Sequence, residues 1–360
     1  MLKKLTLKLH LYLGLIASLI LMIVAITGAM LSYEKELLRL FNYDSFYVKP
    51  QERVLPFDEM IEKFQAQKPN AKITGISFAG EANSAYIFRI ASKTNRKGNS
   101  VYINPYTADI LPEVSGAKFF RFIQDLHRRL TFGEVGKQIV GASTIILIVL
   151  LLSGIYLYMP KIKRGFINSL KINKKAKGIG FISSLHSVVG MWIIPLYLTI
   201  ALTGLYWSYT WYNNALFAIT GVEKPQRFIA QSGQKRIPLK PKEVEKVFNK
   251  FLQEVNQYQY IMMFIPQVGS EYRFFYIDKN PAHVYARNSM IIDANIMDIT
   301  KHERYNDKPI EAKLMSSMLA LHSGEFFGGF GQLLMFLASL AMPIFAITGF
   351  MLYLRKKKKK

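Results

Sequence analysis

The 360-residue chain contains no cysteine. This excludes disulfides, iron–sulfur clusters, thiol catalysis and covalent haem attachment through C-x-x-C-H. Histidine is scarce, with six residues. Acidic residues are missing from whole stretches. Lys3, Lys4 and Lys8, the basic residues from Lys161 to Lys177, and Arg355 to Lys360 stand in segments without any Asp or Glu. No G-x-G-x-x-G follows a strand-like run, so no dinucleotide-binding unit of that kind is expected. Neither H-E-x-x-H nor an acidic cluster accompanies the histidines, which argues against a zinc site.

Four long apolar runs are present. Leu11 to Tyr33, Ile139 to Met159, Val188 to Trp211 and Leu333 to Leu354 each have at least 21 residues and no charge. A helix needs about 20 residues to cross the hydrocarbon layer. Soluble core helices rarely stay uncharged for so long, so the spacing predicts four transmembrane helices. The first run exceeds the apolar length of a signal peptide and reads as a retained anchor. The basic segments before the first helix, between the second and third, and after the fourth place both termini and the linker in the cytoplasm by the positive-inside rule. The net charge of +23 then reflects topology and attraction to anionic lipid, not nucleic-acid binding. Trp207 and Trp211, in "WSYTWYN", read as an interfacial aromatic belt.

The segments between the helices repeat. In each, a helical stretch ("FDEMIEKFQAQ"; "PKEVEKVFNKFLQEV") precedes strand-like runs ("SAYIFRIAS" and "NSVYINPYTADIL"; "EYRFFYID" and "NSMIIDANIMDIT"). The helices repeat too. His10, Gly14, Thr27-Gly28 and Ser32-Tyr33 recur as His186, Gly190, Thr203-Gly204 and Ser208-Tyr209. Leu126-His127, Phe132-Gly133, Gly136, Gly154 and Tyr158 recur as Leu321-His322, Phe327-Gly328, Gly331, Gly349 and Tyr353. The expected fold is a membrane α-helical protein, a four-helix transmembrane bundle built from two parallel repeats, with two small α+β extracytoplasmic domains. Its expected parts are helix 1 (1–33), a first outer domain (34–133), helix 2 (134–160), a basic linker (161–183), helix 3 (184–211), a second outer domain (212–328), helix 4 (329–354) and a basic tail (355–360).

Four of the six histidines fall at matched positions, His10 with His186 on the cytoplasmic side and His127 with His322 on the outer side. An ionisable or ligating residue at a membrane helix is a functional candidate. A pseudo-twofold axis along the membrane normal brings each pair together. Facing imidazoles in a helix bundle suit bis-axial ligation of haem b, giving two sites, one near each face. Gly14 and Gly190, four residues after their histidines, leave room for a flat macrocycle or for close helix packing. Arg128, with Arg121 and Arg129, stands near His127 and suits haem propionates, or a basic helix at the membrane surface. A histidine proton relay is a rival, although no span holds Asp or Glu to continue it. His283 and His302 lack repeat partners and read as ordinary surface residues.

The H-x3-G that opens a span ending in T-G, the L-H before the next span, and the hairpin "YINPYTADIL" resemble the PepSY-associated transmembrane helix proteins of bacteria. The resemblance extends over nearly the whole chain. It implies PepSY-like outer domains, an inner-membrane location, and His10, His127, His186 and His322 as axial ligands of haem b. It also implies an iron-regulated inner-membrane protein or ferric-siderophore reductase that passes electrons to an external ferric chelate from a separate cytoplasmic or membrane donor. The family's hairpin often reads D-P-x-T-G; here the two copies have Asn104-Pro105-Tyr106-Thr107-Ala108 and Asp293-Ala294-Asn295. The alternatives are a non-redox scaffold or regulator of an envelope peptidase, and a subunit of a metal-complex transporter.

Overall fold

The computed structural model describes residues 1–92, 95, 98–224 and 238–358. Of the predicted basic tail, residues 359 and 360 lie outside these. The helices, in chain order, are α1 (Leu2–Ser32), α2 (Glu34–Phe41), α3 (Tyr43–Phe46), α4 (Phe57–Gln67), α5 (Ala117–Arg129), α6 (Gly133–Arg164), α7 (Phe166–Ser169), α8 (Ile179–Ser208), α9 (Thr210–Thr220), α10 (Pro241–Glu254), α11 (Ile310–Ser316), α12 (Met318–Ser323) and α13 (Gly328–Lys358). The strands are β1 (Ile73–Ala79), β2 (Tyr86–Ile90), β3 (Asn99–Ile103), β4 (Tyr258–Phe264), β5 (Glu271–Asp278), β6 (Arg287–Asp293) and β7 (Asp298–Glu303). Two compact units result. A helical unit comprises Met1–Glu34, Lys118–Gly221 and Ser317–Lys360, and a sheet unit comprises Lys35–Ala117 and Val222–Ser316.

The helical unit carries four helices long and apolar enough to cross a membrane, α1, α6, α8 and α13 with its preceding turn. They run past the apolar sequence into their basic flanks, α1 from Leu2 and α6 through Pro160 to Arg164. Lysine and arginine are good helix formers, and their long stems lie along apolar surface. The third helix ends earlier than the predicted Trp211. Tyr209 adopts extended backbone, and the chain restarts there as α9. Around the bundle, α1 packs beside α6 and α13, and α8 beside the same two. α1 and α8 are therefore diagonal partners. Small and aliphatic side chains meet at the centre, among them Ala17, Leu21, Leu147, Ala201, Ala338 and Met342, as expected where van der Waals contact drives helix association. Tyr197, buried among them, donates its hydroxyl to the Ala338 carbonyl at 2.9 Å.

In the sheet unit, seven antiparallel strands run in the order β3-β2-β1-β4-β5-β6-β7. Each of the two segments between the spans was expected to form its own domain. The structure joins them instead in one continuous sheet, with β1 and β4 side by side from Gly75↔Phe264 to Ala79↔Tyr260. The β6–β7 hairpin closes at Asp293↔Asp298, whereas in the first segment only the bridge Ile103↔Ile110 continues past β3. α4 and α10 pack on each other and cover one sheet face. Their Phe57, Phe64, Val247 and Phe251 meet Phe78, Phe88, Ile261 and Phe274 in one buried cluster. Phe251 is fully buried and stacks on Phe274 at 4.5 Å. Phe251→Ala is expected to cost about 3–5 kcal/mol, a large share of the stability of a domain. Limited proteolysis of the full chain in detergent checks this: cleavage should accelerate within 35–117 and 222–316 while the helical unit stays intact.

Candidate functional site

The sequence pairs of histidines are spatial pairs. His10 on α1 and His186 on α8 lie across the bundle diagonal, with ring centroids 6.4 Å apart and ring planes at 76°. His127 on α5 and His322 on α12 lie 6.3 Å apart at 71°. The first pair sits at the end of the bundle where the chain starts, and the second pair at the opposite end.

Each imidazole is fixed by a neighbouring helix. His10 Nδ1 lies 2.8 Å from Ser153 Oγ, and His186 Nδ1 lies 2.7 Å from Thr348 Oγ1. His127 Nδ1 lies 3.2 Å from Thr27 Oγ1 and 2.9 Å from the Val24 carbonyl, and His322 Nδ1 lies 3.0 Å from Thr203 Oγ1. The four hydroxyls already donate their only proton to carbonyls of their own helices, Leu150, Ile344, Ile23 and Thr199 respectively. With the hydroxyl proton on the helix carbonyl, the ring's Nδ1–H donates to the hydroxyl and Nε2 keeps its lone pair; at His127 the Val24 carbonyl, which can only accept, requires this arrangement. That is the tautomer in which a neutral histidine binds a metal through Nε2.

A glycine follows each of these hydroxyl residues and borders the same ring. A Cβ on Gly28 would stand 3.1 Å from His127 Cε1, and one on Gly204 would stand 3.4 Å from His322 Cε1. On Gly154 and Gly349 it would stand 3.5 Å and 3.7 Å from Cε1 of His10 and His186. The unit that seats each histidine is thus a Ser/Thr-Gly dipeptide, one in each spanning helix. Sequence reading matched Thr27-Gly28 with Thr203-Gly204, but of the other two dipeptides it matched only the glycines, Gly154 with Gly349. The signal was present in Ser153-Gly154, Thr348-Gly349, Thr27-Gly28 and Thr203-Gly204.

A cavity of about 660 Å³ surrounds the first pair. Gly14 and Gly190 line it. An added Cβ there would make only ordinary contacts, 3.7 Å to Leu150 and 3.6 Å to Phe345, so close helix packing is not what requires these two glycines. Arg128 is exposed one residue beyond His127, and its neighbour Arg129 pairs with Asp125 at 3.7 Å. Adjacent helical residues point in different directions, so Arg128 and His127 leave α5 on different faces.

The remaining histidines belong to the sheet unit and correct the surface reading. His283 is 5% exposed and bonds to the Tyr305 hydroxyl at 3.0 Å. His302 Nε2 lies 2.7 Å from the hydroxyl of buried Tyr276. Burial pushes that phenol up to about 12, and burial with the nearby Arg304 lowers His302. Both histidines satisfy buried tyrosine hydroxyls, a packing role.

Among the described residues no group of three or more His, Asp or Glu is placed to hold a metal ion; each pair offers two imidazoles. A metal between two such rings needs each nitrogen about 2 Å away and each nitrogen stands about 1.1 Å from its centroid, so with both nitrogens turned to the metal the centroids fall about 6.2 Å apart. Both observed pairs have that spacing. Two imidazoles at this spacing suit a metal ion whose other positions a planar macrocycle would supply, and at the first pair the apolar cavity would give that macrocycle room. No curated protein matches the chain. Residues 7–356 match the family model described as the PepSY-associated TM region, and the chain belongs to that family.

Proposed function

We propose that the chain is a haem b membrane oxidoreductase of the bacterial inner membrane, passing electrons outward to an external ferric chelate in iron uptake. Both termini then face the cytoplasm, the bundle is built from two parallel repeats, and the PepSY-like sheet unit is extracytoplasmic. The observation that carries the proposal is the centroid spacing of both histidine pairs, with each Nδ1 set against a hydroxyl on a neighbouring helix. Two b-type haems, when bound, would supply one-electron transfer between the two faces. Around them this chain's residues have definable tasks. His10, His186, His127 and His322 hold the iron. Ser153, Thr348, Thr27 and Thr203 fix the tautomers. Leu21, Leu147, Ala338 and Met342 keep water from the path between the sites.

The sheet face opposite α4 and α10 supports the outer half of the reading. Ile261 and Met263 belong to the buried cluster, so alternation turns Tyr260, Met262 and Phe264 to the other face. There Arg89 lies over the Phe264 ring at 5.6 Å, and Phe275, 38% exposed, meets Phe264 at 5.8 Å. Aromatic and guanidinium groups suit a planar, anionic chelate. Fe(III) bound by hard oxygen donors is released on reduction, because Fe(II) holds such donors more weakly, so little acid–base machinery is needed. The electron donor is a separate reduced flavin, quinol or protein.

The test is purified protein in vesicles with dithionite enclosed and ferric citrate outside, with external Fe(II) followed by ferrozine. Reduction well above that of protein-free vesicles is expected, and a rate equal to theirs refutes the proposal. Removal of an orienting hydroxyl should loosen the site. Thr348→Val keeps the shape but leaves His186 without its 2.7 Å partner. Outer-shell partners of metal-bound histidine are worth about 10–100-fold in affinity, so haem transfer to apomyoglobin should accelerate by about tenfold or more.

A further inference from the structure

We infer that Lys161 binds the carboxylate edge of the haem in the first cavity, so that its propionates face the end of the bundle where the chain starts. This rests on the haem reading above and adds an orientation to it. The cavity lining is asymmetric. Its deep wall is made of Leu21, Leu147, Ile194 and Met342. The polar groups on that side are already engaged, Ser18 with the Leu15 carbonyl and Tyr197 with the Ala338 carbonyl. The mouth instead gathers Tyr158, Lys161, Asn173, Ser183 and Ser187. Among the described residues Lys161 is the one permanently charged side chain in the lining, and no carboxylate lines the cavity. A cation at the rim of an otherwise apolar slot fits a flat apolar ligand that is anionic along one edge.

The position of Lys161 follows from the extra turn of α6. Gly154, against the His10 ring, and Lys161 are seven residues apart, two turns along one helix face. The axial separation is about 10 Å, comparable with the half-width of a macrocycle plus a two-carbon carboxylate arm. The ammonium is held at the mouth by the Tyr158 ring, 5.1 Å from its centroid. Tyr158 is anchored in turn by its hydroxyl, which donates to the Ser169 carbonyl at 2.7 Å. Lysine serves here as a point charge for a carboxylate at a wet boundary.

The test is haem release from full-length protein in detergent to excess apomyoglobin. The kinetic phase absent from His10→Ala identifies the first site. Hydrogen bonds to charged groups are stronger than neutral ones, and the exposed setting favours the low end of their range. Lys161→Gln should therefore speed the first-site phase about tenfold, and Lys161→Glu should speed it further. Lys161→Arg should restore slow release, and Lys163→Gln, outside the lining, should leave it unchanged. Unchanged release in Lys161→Gln, or equal acceleration in Lys163→Gln, overturns the assignment while leaving the haem reading intact. A wild-type protein without haem overturns both.

Discussion

His10→Ala is expected to abolish bis-imidazole ligation at one end of the bundle and leave the other end unchanged. His10 and His186 stand 6.4 Å apart with each Nδ1 committed to a hydroxyl. No third imidazole lies in that cavity lining among the described residues, so no other histidine can restore the bis-imidazole pair. The low-spin bis-histidine electron paramagnetic resonance signal should fall by about half, because one of two such sites is lost. His186→Ala should remove the same component. His127→Ala and His322→Ala should remove the other one, and a His10→Ala/His127→Ala double variant should retain neither. The partition matters more than the loss. If His10→Ala and His322→Ala removed the same spectral component, the pairing described here would be wrong.

Gly136→Ala and Gly331→Ala are expected to empty the second site selectively. In both halves the chain turns sharply between the histidine helix and the next spanning helix. Leu130, Thr131 and Gly133 have positive φ in one turn, and Gly324 and Gly328 in the other. A Cβ on Gly136 would overlap the Arg129 carbonyl oxygen, and one on Gly331 would overlap the Gly324 carbonyl oxygen and press Phe327 Cβ at 2.7 Å. These obstacles are backbone and cannot rotate away, so α5 or α12 must shift. The shift carries His127 off Thr27, or His322 off Thr203. Overpacking of this severity costs about 3 kcal/mol or more, equivalent to a loss of about a hundredfold in occupancy. Gly14→Ala is the control, since its Cβ would meet only Leu150 at 3.7 Å. Haem content and the two low-spin signals of each variant check the prediction. Full second-site occupancy in Gly136→Ala would show that the close approach is not needed.

Much of this arrangement could be read from one sequence because it is written twice. The recurrence of His10 as His186 and of His127 as His322 carries the pairing, and four uncharged runs carry the spans. Of the orienting hydroxyls, Thr27 and Thr203 recur visibly, and the other two were less visible. Ser153 and Thr348 differ in identity, and repeat matching registers identity, not shared chemistry. α4 and α10 were legible from amphipathic spacing, but the central strands β1 and β4 were not. "ITGISFA" shows no clear alternation, being largely buried on both faces, and such a run gives no period to read. The joining of the two outer segments into one sheet depends on pairings such as Gly75↔Phe264, which leave no local trace. His283 looked like a surface residue because a lone histidine carries no sign of the tyrosine it will meet. Lys161 was read as one of many topology-setting charges; only the extra helical turn of α6 brings it to a cavity mouth.

The most direct measurement is the haem content of purified wild-type protein, by pyridine haemochrome against protein concentration, with oxidised and dithionite-reduced spectra. Two histidine pairs predict about two b-type haems per chain, both low-spin. A protein that is colourless after expression with haem supplied would contradict the redox reading and favour a scaffold or regulator in which the four histidines only pack the bundle.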